Sequence, residues 1–210
     1  GRQNIPILGI NTGRLGFLAD IATEEMETTL NEIIQNNYSI EERSVLELNT
    51  TFPFRGEYNY ALNEVAILKR DTSSMITIHT YLNDEFLTDY LADGLLVATP
   101  TGSTAYSMSV NGPIILPQAN NFVLSPVAPH SLNVRPLIIP EDYKIRLKVD
   151  ARSQNFLISL DGRSEVFPSG SEFYIQKADF TIKIIKRHQQ SFYKTLRKKL
   201  LWGTDVRAPE

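Results

Sequence analysis

The chain has 210 residues, with 21 Lys and Arg against 24 Asp and Glu, and a formal net charge of −3. A chain of this length buries a core without staples, and the absence of cysteine rules out disulfide frameworks, thiolate zinc sites and a cysteine nucleophile. The slightly acidic balance argues against a general nucleic-acid binder, and no apolar run approaches the ~20 residues that span a bilayer.

The chain opens on Gly1 and enters an apolar stretch almost at once. That reads as a chain without its native N-terminus, so any targeting signal would be lost with it. Zero cysteine fits a reducing cytoplasm. Ile5–Ile10 is predicted as a short buried strand, followed by a glycine-bearing loop from Asn11 to Gly16. A helix should follow, with Thr23 as its cap, Glu24 and Glu25 complementing the helix dipole, and Asn36-Asn37 at the exit. Met26, Leu30, Ile33 and Ile34 form one apolar stripe on it. This opening is α/β in character. Gly13 and Gly16 invite a dinucleotide fingerprint, but Asn11 stands where its first glycine belongs, and no strand-ending acid follows about 20 residues on.

From about Arg43 the apolar period changes to two, as in Ile76, Ile78, Thr80, Leu82 and in Ile145, Leu147, Val149. Turn signals punctuate these runs at Asp71-Thr-Ser-Ser74, Asn83-Asp84, Asp161-Gly162 and Pro168-Ser-Gly170. Roughly ten short strands with no convincing amphipathic helix between them predict an all-β unit built as a packed pair of sheets. Phe192, Leu196 and Leu200 then mark a short C-terminal helix. The expected fold class is α+β. A partial, Rossmann-like α/β domain covers 1–42, an all-β sandwich-like domain covers 43–187, and a tail covers 188–210.

The densest chemistry lies in Asp93-Gly-Leu-Leu-Val-Ala-Thr-Pro-Thr-Gly-Ser-Thr-Ala-Tyr-Ser-Met-Ser109. Pro100 cannot donate to a sheet ladder, so the strand Leu95–Ala98 ends there. The small hydroxyl residues beyond it let a polar ligand approach closely, and if the turn opens a helix its free N–H groups suit a phosphate or ribose. An ordinary Ser/Thr-rich turn is the alternative. Asn63-Glu64, ahead of the strand Val65–Leu68, combines an amide suited to a base edge with a carboxylate suited to ribose hydroxyls, or is simply a pair of turn residues. His79, His130 and His188 lack metal-ligand spacing and read as structural or exposed. The basic run Lys194, Arg197, Lys198, Lys199 reads as a solvated helix face.

The 93–109 segment resembles the signature of the ATP-dependent NAD kinases. Gly9–Leu18, Leu62-Asn-Glu-Val65 and the tail Phe192–Arg207 resemble further elements of the same family in the same order. The resemblance implies transfer of the γ-phosphate of ATP, with a divalent metal (Mg²⁺), to the 2′-hydroxyl of the adenosine ribose of NAD. It implies NAD contacts at Asn63, Glu64, Asp93 and Thr101, and at Thr104, Ala105, Tyr106, Ser107, Met108 and Ser109, with Tyr106 stacking and Ser109 meeting the base. Ala128 corresponds to a small residue packed against ligand. The resemblance also implies a tail that returns to the α/β part, and a homo-oligomer, dimer or tetramer, in which some ligand contacts cross between subunits. Neither nucleic acid nor membrane is an expected partner.

Two departures stand out. Asn111-Gly112-Pro113 replaces the family's frequent Gly-Gly-Pro, and Arg163 follows Asp161-Gly162 where Gln is common. Arg163 could pair with a phosphate or be a solvated hairpin residue. The family's Gly-Gly-Asp-Gly loop, which carries the general-base Asp and cradles the polyphosphate, does not occur in this sequence. These 210 residues alone are therefore expected not to turn over, since losing a general base costs about 10²–10⁴-fold. A diacylglycerol-type lipid kinase and a non-catalytic dinucleotide-binding module are the competing readings.

Overall fold

The structure, a computed structural model, describes residues 1–13, 16–19, 21–51, 54, 58–71, 74–188 and 190–203. Arg14 and Leu15 of the glycine-bearing loop, Thr72 and Ser73 of an expected turn, and the end of the tail up to Arg207 lie outside the described residues. In chain order the first elements are β1 (Ile10–Asn11), β2 (Ile21–Ala22), α1 (Met26–Ile34) and β3 (Ser39–Arg43). Then come β4 (Leu46–Thr50), β5 (Tyr60–Ala61), β6 (Glu64–Lys69), β7 (Ile76–Leu82), β8 (Glu85–Ala92), β9 (Gly94–Ala98) and α2 (Tyr106–Ser109). The last are β10 (Asn121–Val127), β11 (Leu137–Pro140), β12 (Ile145–Ala151), β13 (Asn155–Leu160), β14 (Arg163–Pro168), β15 (Glu172–Lys177), β16 (Ile182–Lys186) and α3 (Phe192–Leu200). The fold is mixed α+β and mostly sheet. Two compact units divide it: Gly1–Glu42 with the segment from Ile182 onward, and Arg43–Thr181.

The larger unit contains two six-stranded antiparallel sheets, ordered β11-β10-β9-β6-β13-β14 and β5-β4-β15-β12-β7-β8. Alternating side chains from both meet in one core: Ile67, Val97, Phe122 and Phe156 from the first sheet, Leu48, Ile78, Leu147 and Phe173 from the second. β9 does not alternate. All five of its residues are buried, because Ala98 also packs with Val123 and Ile115 on the opposite face. The turn residues act as their chemistry requires. Asn83 and Asp84 (φ 50° and 66°) and Asp161 and Gly162 (φ 47° and 83°) form left-handed two-residue hairpin turns. Asn111 adopts φ 63°, so at this departure from Gly-Gly-Pro the chain carries the non-glycine residue that best tolerates that region. The single turn α2 is the one α-helical element of this unit among the described residues.

In the smaller unit the predicted strand Ile5–Ile10 is shorter than expected. Only Ile10–Asn11 pairs as a strand, parallel to β2, while Ile7 bridges to Ile184. The cap is also different. Glu25 reaches back to the N–H of Ala22 at 3.1 Å, making Ala22 the capping position, and Thr23 lies inside a 3₁₀ turn with its hydroxyl on Glu24. The stripe on α1 is real but largely uncovered: Met26, Leu30 and Ile34 are exposed. Arg187 ties α1 down through Glu32 (2.7 Å) and Glu25 (3.2 Å). The tail does return. Ser191 caps α3, the Phe192 ring lies 6.3 Å from Phe17, and the Lys199 ammonium donates to the Ala19 carbonyl.

Candidate functional site

The carboxyl end of β9 and the amino end of β6 lie side by side, because Glu64 pairs with Ala98. Beyond Ala98 the chain turns against Leu62-Asn63. The Thr99 N–H donates to the Asn63 carbonyl (2.9 Å), and its hydroxyl donates to the Leu62 carbonyl (2.6 Å) while accepting from the Gly102 N–H (3.1 Å). A Cβ on Gly102 would lie 2.1 Å from the Asn63 oxygen, so only glycine permits this approach.

The hydroxyls of the signature divide by direction. Thr99, Ser103 and Ser107, four residues apart, are fully buried. Ser103 bonds the Pro100 carbonyl and the Ile115 N–H, and Ser107 bonds the Ser125 hydroxyl at 3.0 Å. Ser107, expected to line the ligand, is therefore an internal brace. Thr101, Thr104, Ala105 and Met108 are half-buried, while Tyr106 and Ser109 are exposed on the outer side. Several amides of the turn are engaged internally. α2 is a single turn, and the N–H groups of Gly102, Ser103 and Ala105 are bonded within the loop.

Glu64 is the most unusual group. It is 9% exposed, and its Oε2 has no hydrogen-bond partner among the described residues. Burial pushes its carboxyl up to about 7, the nearby Asp161 charge adding to the rise and the Tyr106 N–H opposing it. A buried oxygen without a donor is costly unless a ligand supplies one. Beside it the Asn63 side chain is half-buried and makes no hydrogen bond among the described residues. Asn63, Glu64, Thr101, Thr104, Ala105, Tyr106 and Ser109 thus gather at one end of β9.

Asp93 and Ala128 do not join them. Asp93 precedes β9 at its opposite end, ion-paired to Lys69 at 2.6 Å, and Ala128 follows Val127, which pairs with Gly94. Across the five residues of β9, the rise of ~3.3 Å per residue separates Asp93 from Thr99 by roughly 20 Å. Arg163 lies behind the first cluster. Its Nε donates to the Leu160 carbonyl, and its two terminal nitrogens donate to those of Tyr58 (3.1 Å) and Tyr60 (2.5 Å). The residue that the sequence did not single out is Asp161. Its carboxylate accepts the N–H groups of Leu62, Asn63 and Glu64 at 2.6, 2.9 and 3.0 Å.

Among the described residues no three His, Asp or Glu side chains converge as a cation site. His79 is bonded on both ring nitrogens, to Asp89 (2.7 Å) and Asp150 (3.0 Å). No helix of the described residues is long and apolar enough to cross a membrane.

Comparison with known proteins places the chain in a family. Residues 62–187 match the ATP-NAD kinase C-terminal domain, and residues 1–38 match the N-terminal domain. Proteins named NAD kinase from Bacteroides fragilis and Porphyromonas gingivalis are 56% and 51% identical over 99% of this chain, which spans 71% of their length. A yeast NADH kinase solved with NADH superimposes with a TM-score of 0.89 at 27% identity, over 99% of this chain and 62% of that one. An Archaeoglobus fulgidus NAD kinase solved with ATP gives 0.79 at 27% identity, over 93% of this chain and 74% of that one. The chain belongs to the ATP-NAD kinase family of phosphotransferases.

Proposed function

We propose that the cluster at the carboxyl end of β9 grips the adenosine half of NAD, for phosphorylation by ATP at the 2′-hydroxyl to give NADP. In that reaction the 2′-oxygen bonds to the γ-phosphorus and the bridging bond to the β-phosphate breaks, releasing ADP. The hydroxyl proton goes to a base, which the family resemblance assigns to the Gly-Gly-Asp-Gly loop. The divalent metal enters as the partner of ATP, and the cytoplasm is the natural compartment. The observation that carries this reading is Glu64: a buried carboxylate with one oxygen unpartnered among the described residues, beside an Asn63 amide that makes no hydrogen bond among them. A ribose diol supplies the hydroxyl donors that such an oxygen lacks, and the amide offers a donor and an acceptor to a base edge. Tyr106, 38% exposed, presents a ring for stacking, with Thr101, Thr104, Ala105 and Ser109 around it. Ser107 supports this wall from inside, with Met108 half-buried beside it, and Arg163 holds the strand behind it.

Calorimetry tests the proposal. The chain should bind NAD or NADP and not a diacylglycerol, and Asn63→Ala should weaken binding about tenfold or more. Lipid binding without dinucleotide binding would favour the lipid kinase, and unchanged affinity in Asn63→Ala would remove the amide from the site. No NADP should form from these 210 residues with ATP and Mg²⁺; robust turnover would mean that the base lies within them.

The distant pair Asp93 and Ala128 fits the same function through self-association. An adenosine half seated at Asn63 does not also touch an Asp93 roughly 20 Å away along β9, but a second copy can present its own. Asn63→Ala and Asp93→Ala chains should then each bind NAD poorly alone, while a two-fold dimer reassembled from both recovers about a quarter of the sites. No recovery on mixing, with both variants folded, would confine the site to one chain.

A further inference from the structure

We infer that Asp161 is a positioning residue for the Asn63–Glu64 pair, an inference that rests on the proposed adenosine site. Three successive backbone N–H groups, those of Leu62, Asn63 and Glu64, point to one carboxylate, and the Asp161 N–H in turn donates to the Glu64 carbonyl at 3.2 Å. The carbonyls of Leu62 and Asn63 are occupied on the other side by the Thr99 hydroxyl and N–H. The Leu62–Asn63 backbone is thus held through its donors by one hairpin and through its acceptors by the signature turn. Among the described residues the Asn63 side chain makes no hydrogen bond of its own, so its direction follows from that backbone.

The hairpin between β13 and β14 does not itself need an acid. Its left-handed turn, with φ 47° at Asp161 and 83° at Gly162, accepts Asn-Gly as readily as Asp-Gly. Only an acceptor-only side chain with two oxygens receives three amides at once. An asparagine would aim an NH₂ group at one of them and leave that N–H unbonded. Arg163, two residues on, adds to the same clamp from the carbonyls of Tyr58 and Tyr60. One short hairpin therefore fixes the approach to β6 from both polarities.

Asp161→Asn keeps the turn and nearly the same shape, and removes only this grip. It should weaken NAD binding about tenfold or more in the otherwise unaltered chain, and by less than about twofold in a chain already carrying Asn63→Ala. That non-additivity separates action through Asn63 from general destabilisation, which would carry over in full. Unchanged NAD affinity in Asp161→Asn, or its full loss repeated on the Asn63→Ala background, would overturn the inference. If the unaltered chain binds no NAD, the site proposal fails instead, and the two failures are distinct. Should Asp161→Asn not fold, Thr99→Val loosens the same backbone from the carbonyl side and must show the same non-additivity.

Discussion

Gly102→Ala is expected to lower stability by about 3 kcal/mol or more and to remove NAD binding with it. A methyl group there would lie 2.1 Å from the Asn63 oxygen and 2.5 Å from its carbonyl carbon, both backbone atoms that cannot swing aside. Either the signature turn lifts away from β6 or the Asn63 backbone shifts. Each breaks the Thr99 bonds that hold the two together. For a chain of this size, ~3 kcal/mol corresponds to a fall in melting temperature of roughly 6–12 °C. Gly162→Ala is the control. Its Cβ meets nothing within 4 Å, so only the positive φ of 83° is strained, at about 1–2 kcal/mol. Thermal unfolding and NAD calorimetry on both variants decide the matter. A Gly102→Ala chain with unaltered melting and affinity would show that the close approach is not what holds the site.

The second large effect is a pH dependence centred on Glu64. Its carboxyl sits at about 7 in the folded chain, against an ordinary value near 4.5, so between those limits the folded state binds the extra proton. Stability is therefore lost as pH rises from about 4.5 to about 7, and above that the full penalty remains, on the order of 2 kcal/mol after allowance for solvent screening. Glu64→Gln, neutral throughout, should equal the unaltered chain in urea unfolding at pH 4.5 and exceed it by that amount at pH 8. An identical pH profile in both chains would mean that the Glu64 carboxylate is solvated after all. The penalty has a functional counterpart: a ligand that donates hydroxyls to Oε2 relieves it, so a site destabilised when empty gains on being filled.

The sheet architecture was readable because turns and periodicity are local. Asn83-Asp84 and Asp161-Gly162 announced hairpins, Pro100 marked the end of β9, and alternation in β7 and β12 gave their buried faces. Local readings failed where geometry depends on partners. The Glu25 carboxylate takes the Ala22 N–H where a Thr23 cap was expected, and a 3.6-residue stripe says which face of α1 is apolar, not what meets it. The site was legible in part. Asn63, Glu64 and the signature do adjoin, since Glu64 pairs with Ala98 and the Thr99 N–H donates to the Asn63 carbonyl. The inward turn of Ser107 was not legible, because residue type cannot say which side of a single helical turn faces the core. Nor was Asp161, whose partners lie nearly a hundred residues away and meet it only through the pairing of Val65 with Leu160.

The split between inward and outward hydroxyls bears on anyone redesigning which dinucleotide such a chain accepts. A randomised library spread evenly over the motif would spend much of its diversity on Thr99, Ser103 and Ser107, where most replacements unravel the scaffold before selectivity is sampled. Codons for Thr101, Thr104, Tyr106 and Ser109 are the ones to vary. In this motif a match in letters counts beams as well as fingertips.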